Sequence, residues 1–197
     1  MIAIIFRFVC IYKQKTIKME QETTILISEL QQHKAAACQR LLTEYGPMVF
    51  RMVQRIVTRR EDAEEVYQDV FVKALRGIGG YDSRQASLAT WLGRIAYHES
   101  LNFVRGKKPN IVYMDDRDLG LDTLEAPDEA PQDENISQLL EQALAKLPPH
   151  EQAIVSMFYY DNMSLADIAY VTGSITSTVG SQLSRIRKKL YRIIKKL

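Results

Sequence analysis

The chain has 197 residues, with 26 lysines and arginines against 24 aspartates and glutamates and a formal net charge of +2. At 46% hydrophobic content it can bury one fair core or two small ones. Two cysteines, Cys10 and Cys38, cannot build a disulfide framework or a zinc site, and His33, His98 and His150 form no ligand-spaced cluster. Neither a glycine-rich phosphate loop nor a G-x-S-x-G nucleophile motif is present, so no enzyme activity, catalytic residue, metal or cofactor is expected.

The start, MIAIIFRFVCIY, is apolar but shorter than the roughly 20 residues that cross a bilayer. It also lacks the basic lead and small-residue cleavage site of a signal peptide. Met19 is followed by EQETTILISEL, an ordinary polar opening to a helical domain. The expectation is that Met19 is the natural start and that residues 1–20 are a non-native or disordered extension. A membrane anchor is the competing reading.

From about Ser28 to Arg105 helical periodicity is nearly continuous. Cys38, Leu41, Leu42, Tyr45, Val49, Val53, Ile56 and Val57 form one apolar stripe, with Pro47 inside it predicting a kink or a break. A second helix starts near Glu61. It turns Ala63, Val66, Tyr67, Val70, Phe71 and Ala74 to one side and Asp62, Glu65 and Asp69, with Gln68 beside them, to another. Gly77, Gly79 and Gly80 end it. A third helix runs from about Thr90 to Arg105 on Leu92, Ile95, Ala96 and Phe103, with Leu88 just before.

That third helix carries a second ridge. Trp91, Arg94, His98, Asn102 and Arg105 recur at steps of three or four. Cationic, amide and aromatic groups in a line suit nucleic acid, because charge holds phosphates while planar groups stack on bases. For Trp91 alone, packing in the core is the plainer reading. Arg105, Lys107 and Lys108 extend the ridge with positive charge.

From Pro109 to Glu134 the periodicity vanishes among prolines, Gly120 and a run of acids that includes Asp115, Asp116, Asp118, Asp128 and Glu129. This stretch reads as an acidic linker. Periodicity resumes at Ile136, Leu139, Leu140, Ala143, Leu144 and Leu147, breaks at Pro148 and Pro149, and continues in Ala153, Ile154, Met157 and Phe158.

The last segment, SLADIAYVTGSITSTVGSQLSRIRKKL from Ser164, is the most specific. Ser164 followed by Asp167 makes a capping-box pattern, Leu165, Ile168 and Ala169 give a short apolar face, and Gly173 can end the helix in a left-handed turn. A second helix follows on Val179, Leu183, Ile186 and Leu190 and ends in Arg185, Arg187, Lys188 and Lys189. Two short helices joined at a glycine, the second basic, are a helix-turn-helix, whose recognition helix enters the major groove. The plain alternative is any αα-hairpin of a bundle. The fold class is therefore all-α, with two small helical bundles joined by an acidic flexible linker. The domains are 1–20 extension, 21–108 first bundle, 109–134 linker and 135–197 second bundle.

The motifs DAEEVYQDVFVKALRGIGGYD from Asp62, SLATWLGRIAYHESLNFVR from Ser87, LPPHEQAIVSMFYYDNMSLADIAYVTG from Leu147 and STVGSQLSRIRKKL from Ser177 together resemble the extracytoplasmic-function (ECF) type of RNA polymerase sigma factor in the sigma-70 superfamily. The resemblance implies that residues 21–108 are sigma region 2 and residues 135–197 sigma region 4. It gives Asp62, Glu65, Gln68 and Asp69 to the β′ clamp of core polymerase. Tyr81, Trp91, Arg94, His98, Asn102 and Arg105 would melt and hold the promoter's minus-ten element. Ser177, Thr178, Ser181, Gln182, Arg185 and Lys188 would read the minus-thirty-five duplex. The linker would thread toward the polymerase active-site cleft.

The implied partners are core polymerase through its β′ clamp and β flap, promoter DNA and an anti-sigma factor, in the cytoplasm and without stable membrane insertion. Four positions depart from the common pattern: His98 and Asn102 stand where Asn and Asp are frequent, and Gly180 and Gln182 where Lys and Arg are frequent. These changes remove fixed charge from both reading surfaces. A stand-alone helix-turn-helix transcriptional regulator is the alternative from another class, and it leaves the acidic and Trp91 ridges without a role.

Overall fold

The computed structural model describes residues 21–107 and 134–197, and within them all regular structure is helical. The expectations for the N-terminal extension and for the acidic linker lie outside the described residues. A helix α1 covers residues 21–31, followed by α2 Ala35–Gln54, α3 Arg60–Gly77, a 3₁₀ turn Ile78–Gly80 and α4 Leu88–Lys107. The second bundle is α5 Glu134–Ala145, α6 Pro149–Tyr159, α7 Leu165–Thr172 and α8 Thr176–Ile194.

Each helix is set by its apolar stripe and its stops. In α1 the stripe is Leu26 and Leu30, one turn apart and both buried. α3 buries Ala63, Val66, Val70, Phe71 and Ala74, five of the six positions its periodicity predicts. The sixth, Tyr67, is half-buried and lies edge-on between Phe50 and Phe71, with ring centroids 5.6 and 4.9 Å away. Offset and edge-to-face rings of this kind add to plain area burial. α4 starts two residues earlier than expected because Ser87 caps it, its Oγ accepting from the Thr90 N–H at 3.1 Å. Its buried set is wider than the predicted stripe and includes Tyr97, Leu101 and Ser100, whose hydroxyl donates to the Ala96 carbonyl at 2.7 Å. Pro149 opens α6 behind Pro148, where its missing N–H is not needed.

Pro47 does not break α2, which runs continuously from Ala35 to Gln54. The carbonyl that loses its donor belongs to Thr43, and both Thr43 and Pro47 are exposed, so water can satisfy it. Leu42, predicted as core, is also on the outside at 38% exposure.

The buried side chains of both bundles join in one cluster. α2, α3 and α4 pack on each other, α5 to α8 form the second group, and α7, with support from α6, lies against α4. Two glycines lie at close approaches. A Cβ on Gly46 of α2 would stand 2.7 Å from the Tyr67 hydroxyl, and one on Gly93 of α4 would stand 3.3 Å from Met52 Cε and 3.7 Å from Val171 Cγ2.

Gly46 is buried; in a helix interior Gly→Ala gains roughly 1 kcal/mol of intrinsic propensity, whereas overpacking costs about 1–3 kcal/mol. Gly46→Ala should therefore be neutral or destabilising in the native background. In the Tyr67→Phe background, which removes the clashing hydroxyl, it should stabilise. Denaturant unfolding of the four variants checks this; the same sign in both backgrounds would contradict the packing described.

Candidate nucleic-acid and polymerase interfaces

Three surfaces hold the residues singled out in the sequence. The first is on α3. Glu65, Gln68 and Asp69 are exposed along one ridge, and Asp62, at the first turn, is half-buried with its carboxylate 4.0 Å from Arg59. Carboxylates in the first turn of a helix complement its positive end, and Glu61 joins Asp62 there. Beside the ridge lies a shallow groove of about 440 Å³ between α2 and α3, lined by Leu42, Thr43, Gly46, Pro47, Phe50, Glu64 and Tyr67. Charge patterning alone missed this groove. Its signals were Leu42 on the outer edge of its stripe and a proline and glycine side by side.

The second surface is the α4 ridge, and it divides in two. Asn102 and Arg105 are exposed. Trp91 is half-buried, edge-on to Tyr81 at 5.5 Å, and the Tyr81 hydroxyl donates to the Ala86 carbonyl at 3.0 Å. The loop and the start of α4 are thereby pinned to each other. Arg94 donates through Nη1 to the Tyr170 carbonyl at 2.9 Å and lies 5.0 Å from the centre of that residue's ring. The backbone of Val171 lies beside His98 and favours its protonated form. Tyr170 and Val171 belong to α7, so Arg94 and His98 are engaged by the second bundle. Trp91, Arg94, His98, Tyr170, Lys73 and Glu99 are among the residues lining an open cleft of about 430 Å³, and Lys73 is ion-paired with Glu99.

The third surface is the helix-turn-helix. The Ser164 hydroxyl accepts from the Asp167 N–H at 3.1 Å and donates to its carboxylate at 2.6 Å. Gly173 sits at φ 71° and ends α7, as a left-handed C-cap requires. Val179, Leu183 and Ile186 anchor α8 in the core. That anchoring turns Ser177, Ser181 and Arg185 outward, with Thr178, Gln182 and Lys188 half-buried at the edges of the same face. Ser181 donates to the Ser177 carbonyl at 3.0 Å. The Gln182 Oε1 is enclosed without a hydrogen-bond partner; an enclosed acceptor of this kind gains from any donor brought to it. Lys189, part of the predicted basic end, is tied to Glu151 of α6 at 3.0 Å. The described residues contain no His, Cys, Asp or Glu group able to hold a metal ion.

Burial holds the imidazoles of His98 and His150 below their ordinary pKa of 6.5, and positive charge from Arg94 and Arg105 around His98, and from Lys189 and Arg105 around His150, acts the same way. A base with a lowered folded-state pKa is neutral in the fold while the unfolded chain takes up the proton, so the stability it contributes is present above pH 6.5 and lost as pH falls through the folded value. The melting temperature should fall between about pH 7 and pH 5, and the double substitution His98→Gln, His150→Gln should flatten that fall. An unchanged pH profile in the double variant would refute the assignment.

Two family models match this chain and together span more than half of it: Sigma-70 region 2 over residues 41–109 and Sigma-70, region 4 over residues 137–190. The first falls on α2 to α4 and the second on α5 to α8. Among curated relatives, the RNA polymerase sigma-H factor of Pseudomonas aeruginosa is 26% identical over 187 residues, covering 90% of this chain and 96% of the relative. The ECF RNA polymerase sigma factor SigW of Bacillus subtilis is 25% identical over 163 residues, covering 78% and 86%. Among solved structures, the sigma factor RpoE in complex with the anti-sigma factor NepR from Bartonella quintana shares the fold, with a TM-score of 0.57, 20% identity, and coverage of 80% of this chain and 96% of that one. The chain belongs to the sigma-70 family of RNA polymerase sigma factors, in its ECF branch.

Proposed function

We propose that this sigma factor docks on core RNA polymerase through the α3 ridge, captures the minus-ten element on the Tyr81 and α4 surface, and reads the minus-thirty-five element with the start of α8. The observation that carries this reading is the pairing of an acidic ridge with an apolar groove on one bundle and an outward-facing recognition helix on the other. A stand-alone regulator needs only the second.

The division of labour follows from chemistry. Asp62, Glu65, Gln68 and Asp69 offer negative charge to a basic partner surface, which sets register and association rate. The groove beside them, walled by Leu42, Pro47, Phe50 and Tyr67, offers the apolar area that charge alone does not supply. This is the contact proposed for the β′ clamp; the second bundle would meet the β flap.

On α4, Trp91 and Tyr81 provide stacking faces and Arg94, His98, Asn102 and Arg105 provide donors. An unpaired strand needs both kinds of group. Captured bases then offset an unstacking cost of a few kcal/mol each. On α8, Ser177, Thr178, Ser181, Gln182, Arg185 and Lys188 face a duplex major groove, and the helix N-terminus enters first.

Mounting both bundles on one polymerase fixes their spacing and raises their effective concentration on DNA. The proposed site of action is the cytoplasm, and no described helix is long and apolar enough to cross a membrane. The proposed regulator is an anti-sigma factor, as in the RpoE complex.

Asp69→Arg should weaken association with core polymerase by more than about tenfold, because it sets like charges against each other, while circular dichroism stays unchanged. Undiminished affinity would refute the docking ridge. Arg185→Ala should weaken binding of a cognate minus-thirty-five duplex by about 1–3 kcal/mol and relax preference at one position. An equal loss on every sequence would reassign Arg185 to phosphate contact. For the function as a whole, run-off transcription with purified core polymerase is the test. The sigma reading needs no other initiation factor, and a requirement for one would favour a regulator.

A further inference from the structure

Among the large apolar side chains that stand in the open on the described residues, Ile175 is the most exposed, at 67%. It occupies the N-cap of α8 in an extended conformation, φ −104° and ψ 154°, and no side chain caps the helix there. Isoleucine is among the poorest N-cap residues, because it offers no acceptor to the open N–H groups of the first turn. The same helix-turn-helix caps α7 with Ser164, whose Oγ accepts from the Asp167 N–H at 3.1 Å. Ser174 and Thr176, both of cap-forming type, flank Ile175 one residue away on either side. The position gives up a cap, and its side chain gains no burial in return. A local rule broken with no gain inside the fold is the mark of a functional position.

The backbone that presents Ile175 is held from both sides. Gly173 at φ 71° and the Ser174 N–H, which donates to the Ala169 carbonyl at 2.9 Å, close the end of α7. Four residues beyond Ile175, the N–H of the fully buried Val179 donates to the Ile175 carbonyl at 3.1 Å. Ile175 precedes Thr178 by three residues and Gln182 by seven, the spacing of one helix face. It therefore extends the edge of the proposed reading face by one turn, at the helix end that enters the major groove first.

The base edges in the major groove are donors and acceptors with one apolar exception, the C5-methyl group of thymine. We propose that Ile175 is a specificity-determining residue for the minus-thirty-five element and reads a thymine through that methyl group. This inference rests on the functional reading above for the identity of the reading face, and it adds an apolar contact to a set of polar side chains. On binding, the methyl group and the isoleucine side chain remove each other from water. The preference is then for thymine over uracil, which has the same hydrogen-bonding edge and lacks only the methyl group.

The test uses holoenzyme assembled from the full chain and purified core polymerase. Duplexes that bind are enriched from a promoter library randomised across the minus-thirty-five region. Each thymine of the enriched site is then replaced singly by deoxyuridine, which deletes one methyl group and leaves pairing and polar groups intact. With the native chain, one such replacement should weaken binding by about threefold to fourfold, the scale of one buried methyl group. In Ile175→Ala the thymine and uracil duplexes should bind alike at that position. In Ile175→Val, which keeps a branched apolar side chain, most of the difference should persist. A native chain with no methyl-sensitive position, or Ile175→Ala with undiminished sensitivity, would overturn the inference.

Ile175→Ser separates a DNA contact from a role in the fold. A serine cap should raise the melting temperature by about 2–4 °C while abolishing the preference for thymine. An unchanged or lower melting temperature would mean that the isoleucine serves the fold, and would also overturn the inference. Weaker association of Ile175→Ala with core polymerase, with methyl sensitivity retained, would assign the side chain to a protein partner instead. Holoenzyme that enriches no duplex would sink the functional reading and this inference with it, whereas enrichment without methyl sensitivity would sink the inference alone.

Discussion

The arrangement of this molecule turns on the apolar contact of α4 with α7, where Gly93 lies close to Met52 and Val171: a Cβ at position 93 would stand 3.3 Å from the Met52 methyl group, close enough to push that flexible side chain aside, and 3.7 Å from Val171, an ordinary contact distance. That apolar contact is what merges two small bundles into one buried cluster. A bundle of this size buries a modest fraction of its surface and is marginal by itself. Sharing a core across α4 and α7 supplies burial that neither bundle has alone. It also makes separation expensive, since opening exposes Met52 and Val171 to water unless a partner covers them.

The same contact decides which surfaces are available. The elements of the α3 ridge and of the recognition helix face away from it, so their side chains stay accessible while the two bundles are together. The α4 ridge faces it. A factor that bound single strands freely would be drawn to any exposed nucleic acid, since stacking is tolerant of sequence. Covering Arg94 and His98 with the first helix of the helix-turn-helix physically links the two surfaces proposed to contact DNA. The groove beside α3 adds apolar area to that ridge: the surface proposed for polymerase carries a row of charge next to an apolar depression, so that charge would govern encounter and area residence.

Much of this was legible in the chain of residues. The capping pattern at Ser164 and Asp167 and the turn at Gly173 appear in the structure with the hydrogen bond and the positive φ that those residue types imply. The α3 stripe was readable because a 3.6-residue repeat admits one buried face. Of the two outcomes expected at Pro47, a break does not occur, because the cost of a missing N–H depends on whether water reaches the carbonyl left behind, and Thr43 is exposed. Leu42 misled for a related reason: a stripe one residue too wide is indistinguishable in sequence from a groove at the edge of a core. The plainer reading of Trp91 as a packed residue is half met, since it is half-buried against Tyr81 while still lining the cleft. The contact of α7 on α4 was not legible. It joins residues some 76 positions apart, as Arg94 and Tyr170 are, across a linker whose composition imposes no geometry. Nothing in local periodicity marks Gly93 as an interface residue.

The central claim is that this chain meets core RNA polymerase through the α3 ridge and the groove beside it. Hydroxyl-radical footprinting of the full chain, alone and saturated with core polymerase, tests it directly. The account predicts that Phe50 and Tyr67, which line the groove, become protected as binding saturates. Saturable binding with both rings as reactive as in the free chain would contradict it.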